Sequence, residues 1–247
     1  MHLKSIVFIF DYFYYKLKLI LTTLTLCNML YDDLADEYSQ SLIALLEGLN
    51  LKSKEKVDLD QIKKAMLFAK KYHGTQKRNS GEPYYSHPTA VAEMVAKGYF
   101  KTDVVIAALL HDIIEDTIAT ALMITAEFGS RVTQMVEGVT RIKLDEKITS
   151  AEMFSLLYEH KDKEAIVIKI YDRIHNMQTI GFKSIKKQKK IAVETLRIFM
   201  PIAAYFEMLT VEQELLKMCY AVLKPKNSFR IDQVLQNVLY HDRIVGL

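Results

Sequence analysis

Apolar and polar residues alternate with a helical period along most of the chain. Between Asp58 and Tyr72, Ile62, Ala65, Met66 and Ala69 fall on one stripe, behind acidic residues suited to a helix start. From Thr102 to Thr117 the chain is apolar almost all round, as a buried helix should be, and Thr102 or Asp103 can serve as its N-cap. The pattern predicts one helix there, ending in a cluster of charge. Further helices are predicted near 89–97, 119–128, 132–139, 151–159, 164–179, 188–205 and 211–223. The run AIVIKIY (Ala165 to Tyr171) is β-branched enough for a buried strand, but we read it as helix. Four prolines, eight glycines and the lack of Asn-Gly or Asp-Gly hairpin signals disfavour an all-β architecture. The expectation is an all-α bundle of about ten helices forming a single domain.

Two stretches depart from this period. From His73 to Pro88 turn-forming residues gather (HGTQKRNSGEPYYSHP), which reads as a long loop delivering polar side chains. Residues 5–30 are apolar and carry only Asp11, Lys16 and Lys18 as charges. Those charges lie inside the stretch, so membrane contact by residues 5–30 is a competing reading that we do not favour. No small-residue cleavage site follows, which argues against a secretory leader. Met29, which opens an acidic segment, is an alternative start. The expected division is an apolar extension over 1–34, a helical domain over 35–225 and a helical tail over 226–247.

A net charge of +3, with acidic residues spread throughout, gives no electrostatic signature of a nucleic-acid binder. The two cysteines, Cys27 and Cys219, are far apart and lie in no metal-binding pattern. A reducing cytoplasm is the expected location.

The chemistry concentrates in His111-Asp112-Ile113-Ile114-Glu115-Asp116, where three carboxylates and an imidazole follow an apolar run. Burying even one unpaired carboxylate costs several kcal/mol, so this density calls for a compensating cation or for solvent. On a continuous helix His111 would neighbour Glu115, and Asp112 would neighbour Asp116. A His-Pro turn at His87-Pro88 and the segment Asp172-Arg173-Ile174-His175-Asn176 give the cluster context, with Asp172 and Asn176 one turn apart. Two imidazoles and two carboxylates from His87, His111, Asp112 and Asp172 suit Mn²⁺, Fe²⁺ or Zn²⁺ better than Ca²⁺. A second His-Asp pair, His241-Asp242, lacks such context and reads as surface decoration.

The segment from His73 to Pro88, then AALLHDIIEDT, FG followed by VEGVTRI, IKIYDRIHNMQTI, KKQKKIAVETLRIFMPIA and VEQELLKMCYAVLKP, resembles the successive signatures of the HD-type hydrolase domain of the RelA/SpoT family. The resemblance runs from about Asp58 to Pro225. It implies an HD-domain helical bundle that removes the 3′-pyrophosphate from the guanine nucleotide (p)ppGpp with Mn²⁺. It resembles the stand-alone hydrolase form, without the synthetase that longer members carry.

The same resemblance implies that His87, His111, Asp112 and Asp172 are metal ligands. It makes Glu115 and Asp116 the catalytic acidic pair that holds and deprotonates the attacking water. Arg78 would pack against the guanine base, with Asn176 and Thr179 near the nucleoside. His73 and His175 are expected to be structural, and Arg173 to brace the acidic cluster. Lys77, Lys97 and the run from Lys183 to Lys190 are expected to form a solvated face. Asn79 stands where the family usually has lysine, removing a cation from the mouth of the site. Tyr171 replaces a small residue before Asp172. Competing readings are an HD hydrolase acting on another nucleotide such as NADPH, and a remnant that binds nucleotide without turnover.

Overall fold

The computed structural model describes residues 33–140, 142–143 and 146–223. The apolar extension up to residue 32, with Cys27, lies outside them, as do the tail 226–247 and the His241-Asp242 pair. Asp36 opens α1 (Glu37–Lys52) by accepting the Tyr38 and Ser39 amides, and Asp58 opens α2 (Leu59–His73) in the same way. These short polar side chains satisfy amides that a helix start leaves without intrahelical partners. After the predicted loop come α3 (Ser86–Gly98) and α4 (Thr102–Leu109). Residues Val104 to Leu109 of α4 are all buried. This short helix is the hub of the domain, with α2, α3, α6 and α8 packed around it.

The predicted helix from Thr102 to Thr117 is interrupted. Residues α4 and α5 (Ile113–Asp116) are separated at Leu110, His111 and Asp112, and Leu110 carries the non-helical pair φ −111°, ψ 6°. The two helices predicted near 119–128 and 132–139 are joined as α6 (Ala121–Val139), bent where Gly129 takes φ +85°. Only a residue without Cβ adopts that conformation cheaply. Between α6 and the next helix, residues Ile142–Lys143 and Glu146–Lys147 pair as a two-residue antiparallel ladder.

Thr149 starts α7 (Ser150–Glu159) with a capping box completed by Glu152. Asp162 caps α8 (Lys163–Gln178), so the AIVIKIY segment is helical as read. Arg131 of α6 donates to both oxygens of Asp162, at 2.9 and 3.2 Å, and to Glu164 at 3.0 Å, tying α6 to the start of α8. At Gly138 a Cβ would meet Leu157 Cδ2 at 2.8 Å, so a larger residue there would have to displace the Leu157 side chain of α7. A 3₁₀ turn (Ile180–Phe182) follows α8. The stretch predicted over 188–205 divides into α9 (Ile185–Glu194), a π-helical turn (Thr195–Phe199) and α10 (Met200–Tyr205). The last described helix, α11 (Leu209–Leu223), packs on α8, α9 and α10. Among the described residues no helix is long and apolar enough to cross a membrane.

Candidate active site

Four elements bring the polar side chains together. His73 is the last residue of α2, and its ring is buried. The loop after it folds back on itself, with Arg78 N–H donating to Glu82 O at 3.0 Å and Tyr84 N–H donating to Gln76 O at 2.9 Å. It delivers His87 and Pro88 into the first turn of α3, where a proline ring costs no intrahelical hydrogen bond. His111 and Asp112 sit in the break between α4 and α5. Asp172 lies on the buried side of α8.

His87, His111 and Asp172 each offer a ligand atom, and those atoms lie within 4.8 Å of one another. His87 Nε2 is 3.1 Å from Asp172 Oδ1, and His111 Nε2 is 3.7 Å from the same oxygen. Asp112 Oδ2 is 3.9 Å from His111 Nε2. The hydrogen bonds fix where the lone pairs point. His111 Nδ1–H donates to Ala108 O at 2.8 Å, which turns the Nε2 lone pair toward the carboxylates. His87 Nδ1 is 2.7 Å from His175 Nδ1, and a contact that short needs a proton on one of the two.

The convergence is therefore one of acceptors facing acceptors. Both oxygens of Asp112 are buried and make no hydrogen bond among the described residues, and neither does His73 Nε2, 3.4 Å from Asp112 Oδ1. Such a group demands positive charge. Against burial, which disfavours their charged forms, Asp112 raises His73, and Asp112 with Asp172 raises His111. Burial opposes the ionisation of Asp112 and Asp172 too. The imidazoles around both, and Lys169 beside Asp172, nevertheless hold the two carboxyls well below the usual carboxylate range. Burial lowers His87. Burial, His87 and Arg78 push His175 down to about 3. With His175 neutral, its Nδ1 can accept from His87 and leave His87 Nε2 free to ligate. The donor set fits a divalent cation with nitrogen and oxygen ligands.

Sequence reasoning missed several neighbours. Lys169, one turn before Asp172, places Nζ 3.0 Å from Asp172 Oδ2, and the i, i+3 spacing was the available signal. Tyr84 donates its hydroxyl to Asp116 Oδ2, and Gln76 donates to the Asp116 carbonyl at 2.7 Å. His73 and His175, expected to be structural, lie against Asp112 and His87 respectively. Asn176 donates to Asp172 Oδ1, as their spacing on one helix face predicted. Arg173 does not brace the acidic cluster. It pairs with Glu194 at 3.1 Å and lies 3.9 Å above the Phe199 ring, because α8 turns it toward the π-helical segment. Of the helical pairings expected within His111 to Asp116, Asp112 and Asp116 remain one turn apart, with Asp116 N–H donating to Asp112 O at 3.0 Å, while His111 falls before the short helix. Glu115 is half-buried and Asp116 exposed, both on α5, while His111 and Asp112 precede that helix.

Beside the cluster lies an open pocket of about 150 Å³, lined by Arg78, Asn79, Tyr84, Asn176, Thr179 and Lys183 among others. Arg78 donates to Thr179 Oγ1 at 3.1 Å and sits 3.6 Å from Glu82. Three residues assigned to nucleoside binding, Arg78, Asn176 and Thr179, thus share one wall.

A helical bundle that gathers His87, His111 and Asp172 around one point, with Asp112 beside His111 at a helix break, has the form of a His-Asp metal-site domain. The chain belongs to the HD domain family, whose profile matches residues 65–206. Over 198 residues it is 36% identical to a probable guanosine-3′,5′-bis(diphosphate) 3′-pyrophosphohydrolase of Mycoplasma pneumoniae, covering 75% of this chain and 27% of that protein. The corresponding enzyme of Aquifex aeolicus is 39% identical over 175 residues, covering 70% of this chain and 25% of the relative. The bifunctional (p)ppGpp synthase/hydrolase SpoT of Escherichia coli is 39% identical over 196 residues, covering 76% and 28%. The chain thus spans about a quarter of the length of these curated relatives. A solved chain described as a metazoan ortholog of SpoT that hydrolyzes ppGpp superposes with a TM-score of 0.48 at 19% identity, over 74% of this chain and 98% of that one.

Proposed function

We propose that this chain hydrolyses the 3′-pyrophosphate of (p)ppGpp, giving pyrophosphate and GDP or GTP, with Mn²⁺ held by His87, His111, Asp112 and Asp172. The observation that carries the reading is the gathering of ligand atoms of His87, His111 and Asp172 within 4.8 Å, beside the unpartnered oxygens of Asp112 and next to a pocket lined by Arg78, Asn176 and Thr179. The names of the relatives supply the substrate.

A divalent cation bound there lowers the pKa of water and offsets charge on phosphoryl oxygens. The remaining work belongs to the chain. Asp116 is oriented by the Tyr84 hydroxyl, and Glu115 precedes it on the same short helix. Together they hold the attacking water and take its proton as its oxygen bonds to the 3′-linked phosphorus. The ribose 3′-oxygen leaves and is protonated. Arg78, braced by Glu82 and Thr179, offers its guanidinium plane to the base, and Asn176 links the nucleoside wall to Asp172. The test is pyrophosphate release from ppGpp by purified chain with Mn²⁺, run beside NADPH turnover. Release that disappears in Asp112→Ala supports the reading. Absence of release, or turnover of NADPH alone, overturns it.

A further inference from the structure

The pocket beside the ligand cluster is richer in positive charge than the nucleoside assignment requires. Lys77, Arg78 and Lys183 all line it, together with Asn79, Ser80 and the exposed Phe182 ring. Arg78 is engaged by Glu82. Among the described residues neither Lys77 nor Lys183 has a carboxylate within ion-pair distance of its ammonium group. Lys183 is half-buried, and burial, Lys187 and Arg78 all act to lower its pKa. A half-buried cation facing other cations, with no carboxylate partner, stabilises an anion placed beside it.

Distance along the helix decides which part of a substrate this charge meets. Asp172, Asn176 and Thr179 descend α8 in successive turns, and Lys183 is the residue directly after the 3₁₀ turn. From Asp172 to Thr179 the axis advances about 10 Å at the α-helical rise, and Lys183 follows after the 3₁₀ turn. The pocket it lines is walled by Arg78, Asn176 and Thr179, and not by His87, His111, Asp112 or Asp172. A nucleotide with its reacting diphosphate at the cluster and its nucleoside against Arg78, Asn176 and Thr179 brings its other phosphates toward the lysine end. Asn79, which stands where a cation is usual, lines this same pocket.

We infer that Lys183, assisted by Lys77, is a specificity-determining residue that binds the 5′-phosphates of the nucleotide and supplies the positive charge missing at Asn79. The inference rests on the proposed guanine-nucleotide reading of the site. It makes the number of 5′-phosphates, rather than the base alone, a determinant of affinity.

The experiment uses the full chain with Mn²⁺ in wild-type, Lys183→Met and Lys183→Arg forms. Pyrophosphate release is followed from guanosine 3′-diphosphates bearing no, two or three 5′-phosphates, and equilibrium binding of GMP, GDP and GTP is measured alongside. Loss of one charge-assisted contact in Lys183→Met should raise KM about tenfold for the substrates with 5′-phosphates, with kcat within about twofold. The substrate without 5′-phosphates should be unaffected, and Lys183→Arg should restore KM. Binding should strengthen from GMP to GTP in wild type and flatten in Lys183→Met. Equal effects on all three substrates, or a loss confined to kcat, overturn the inference while leaving the hydrolase reading intact. Graded binding that flattens without any hydrolysis keeps the subsite and overturns the hydrolase reading. Neither binding nor hydrolysis in wild type overturns both.

Discussion

His87 and His175 meet through their Nδ1 atoms at 2.7 Å, so a ring on α8 sets the tautomer and tilt of a ring on α3. A ligand imidazole held this way depends on its partner for orientation. Replacing His175 with Phe removes the acceptor while keeping an aromatic ring. We expect Mn²⁺ affinity to fall about 10- to 100-fold, with a smaller loss in His175→Gln. Metal titration of the two variants checks this; unchanged affinity in the Phe variant would mean that His87 is oriented without help.

Glu115→Gln keeps the size of the side chain and removes its basicity. The expected result is unaltered Mn²⁺ binding and a fall in kcat of about 100-fold or more, the range for losing a positioned base. Metal loss in this variant would contradict the role assigned to Glu115.

The ligand cluster collects buried carboxylates that the chain only partly neutralises, so a bound cation should stabilise the fold. At about 100 times its dissociation constant, Mn²⁺ should add about 2.7 kcal/mol. Thermal unfolding in the presence of Mn²⁺ and of chelator measures the difference, which should shrink in Asp112→Ala.

Asp36 caps α1 and pairs with Lys70 at 2.7 Å. Burial opposes its ionisation, but Lys70, Ser39 and Tyr85 outweigh it and hold the carboxyl well below its ordinary range. A depressed carboxylate contributes stability above its unfolded pKa and loses it as pH falls toward the folded value. Asp36→Ala should therefore cost about 1 kcal/mol near neutrality, and the gap to wild type should narrow below about pH 4. Denaturant melts over that range would show the trend.

Arg173 is buried between Glu194 and the Phe199 ring and touches none of the proposed ligands. Arg173→Met should lower stability by about 2 kcal/mol through the broken pair while the folded fraction keeps its turnover. A primary loss of kcat with unchanged melting would place this residue in the chemistry instead.

The helices were legible in the sequence wherever a stripe or an N-cap marked them. Asp58 and Ile62 announce α2, and even the β-branched AIVIKIY run is helical, because α8 is capped by Asp162 and is buried against α4 and α6. What periodicity could not show was the break at His111. The residues before it are apolar enough to continue a helix, and the interruption depends on local events such as the His111 ring bonding to the Ala108 carbonyl. Long-range partners were hidden for the same reason. Nothing near Arg173 in sequence points to Glu194, and nothing near Tyr84 points to Asp116. The candidate ligands were legible because imidazoles and carboxylates are conspicuous in apolar surroundings, whereas the groups that orient them depend on which helices pack together.

The pairing of Lys169 with one oxygen of Asp172 has a further effect. With Oδ2 occupied on its own helix, the carboxylate presents a single atom, Oδ1, toward the two imidazoles and Asn176. Were a cation held there as proposed, Asp172 would offer it that one oxygen. Removing the ammonium would release that hold on Oδ2, so Lys169 acts on the site by fixing which carboxylate oxygen faces inward.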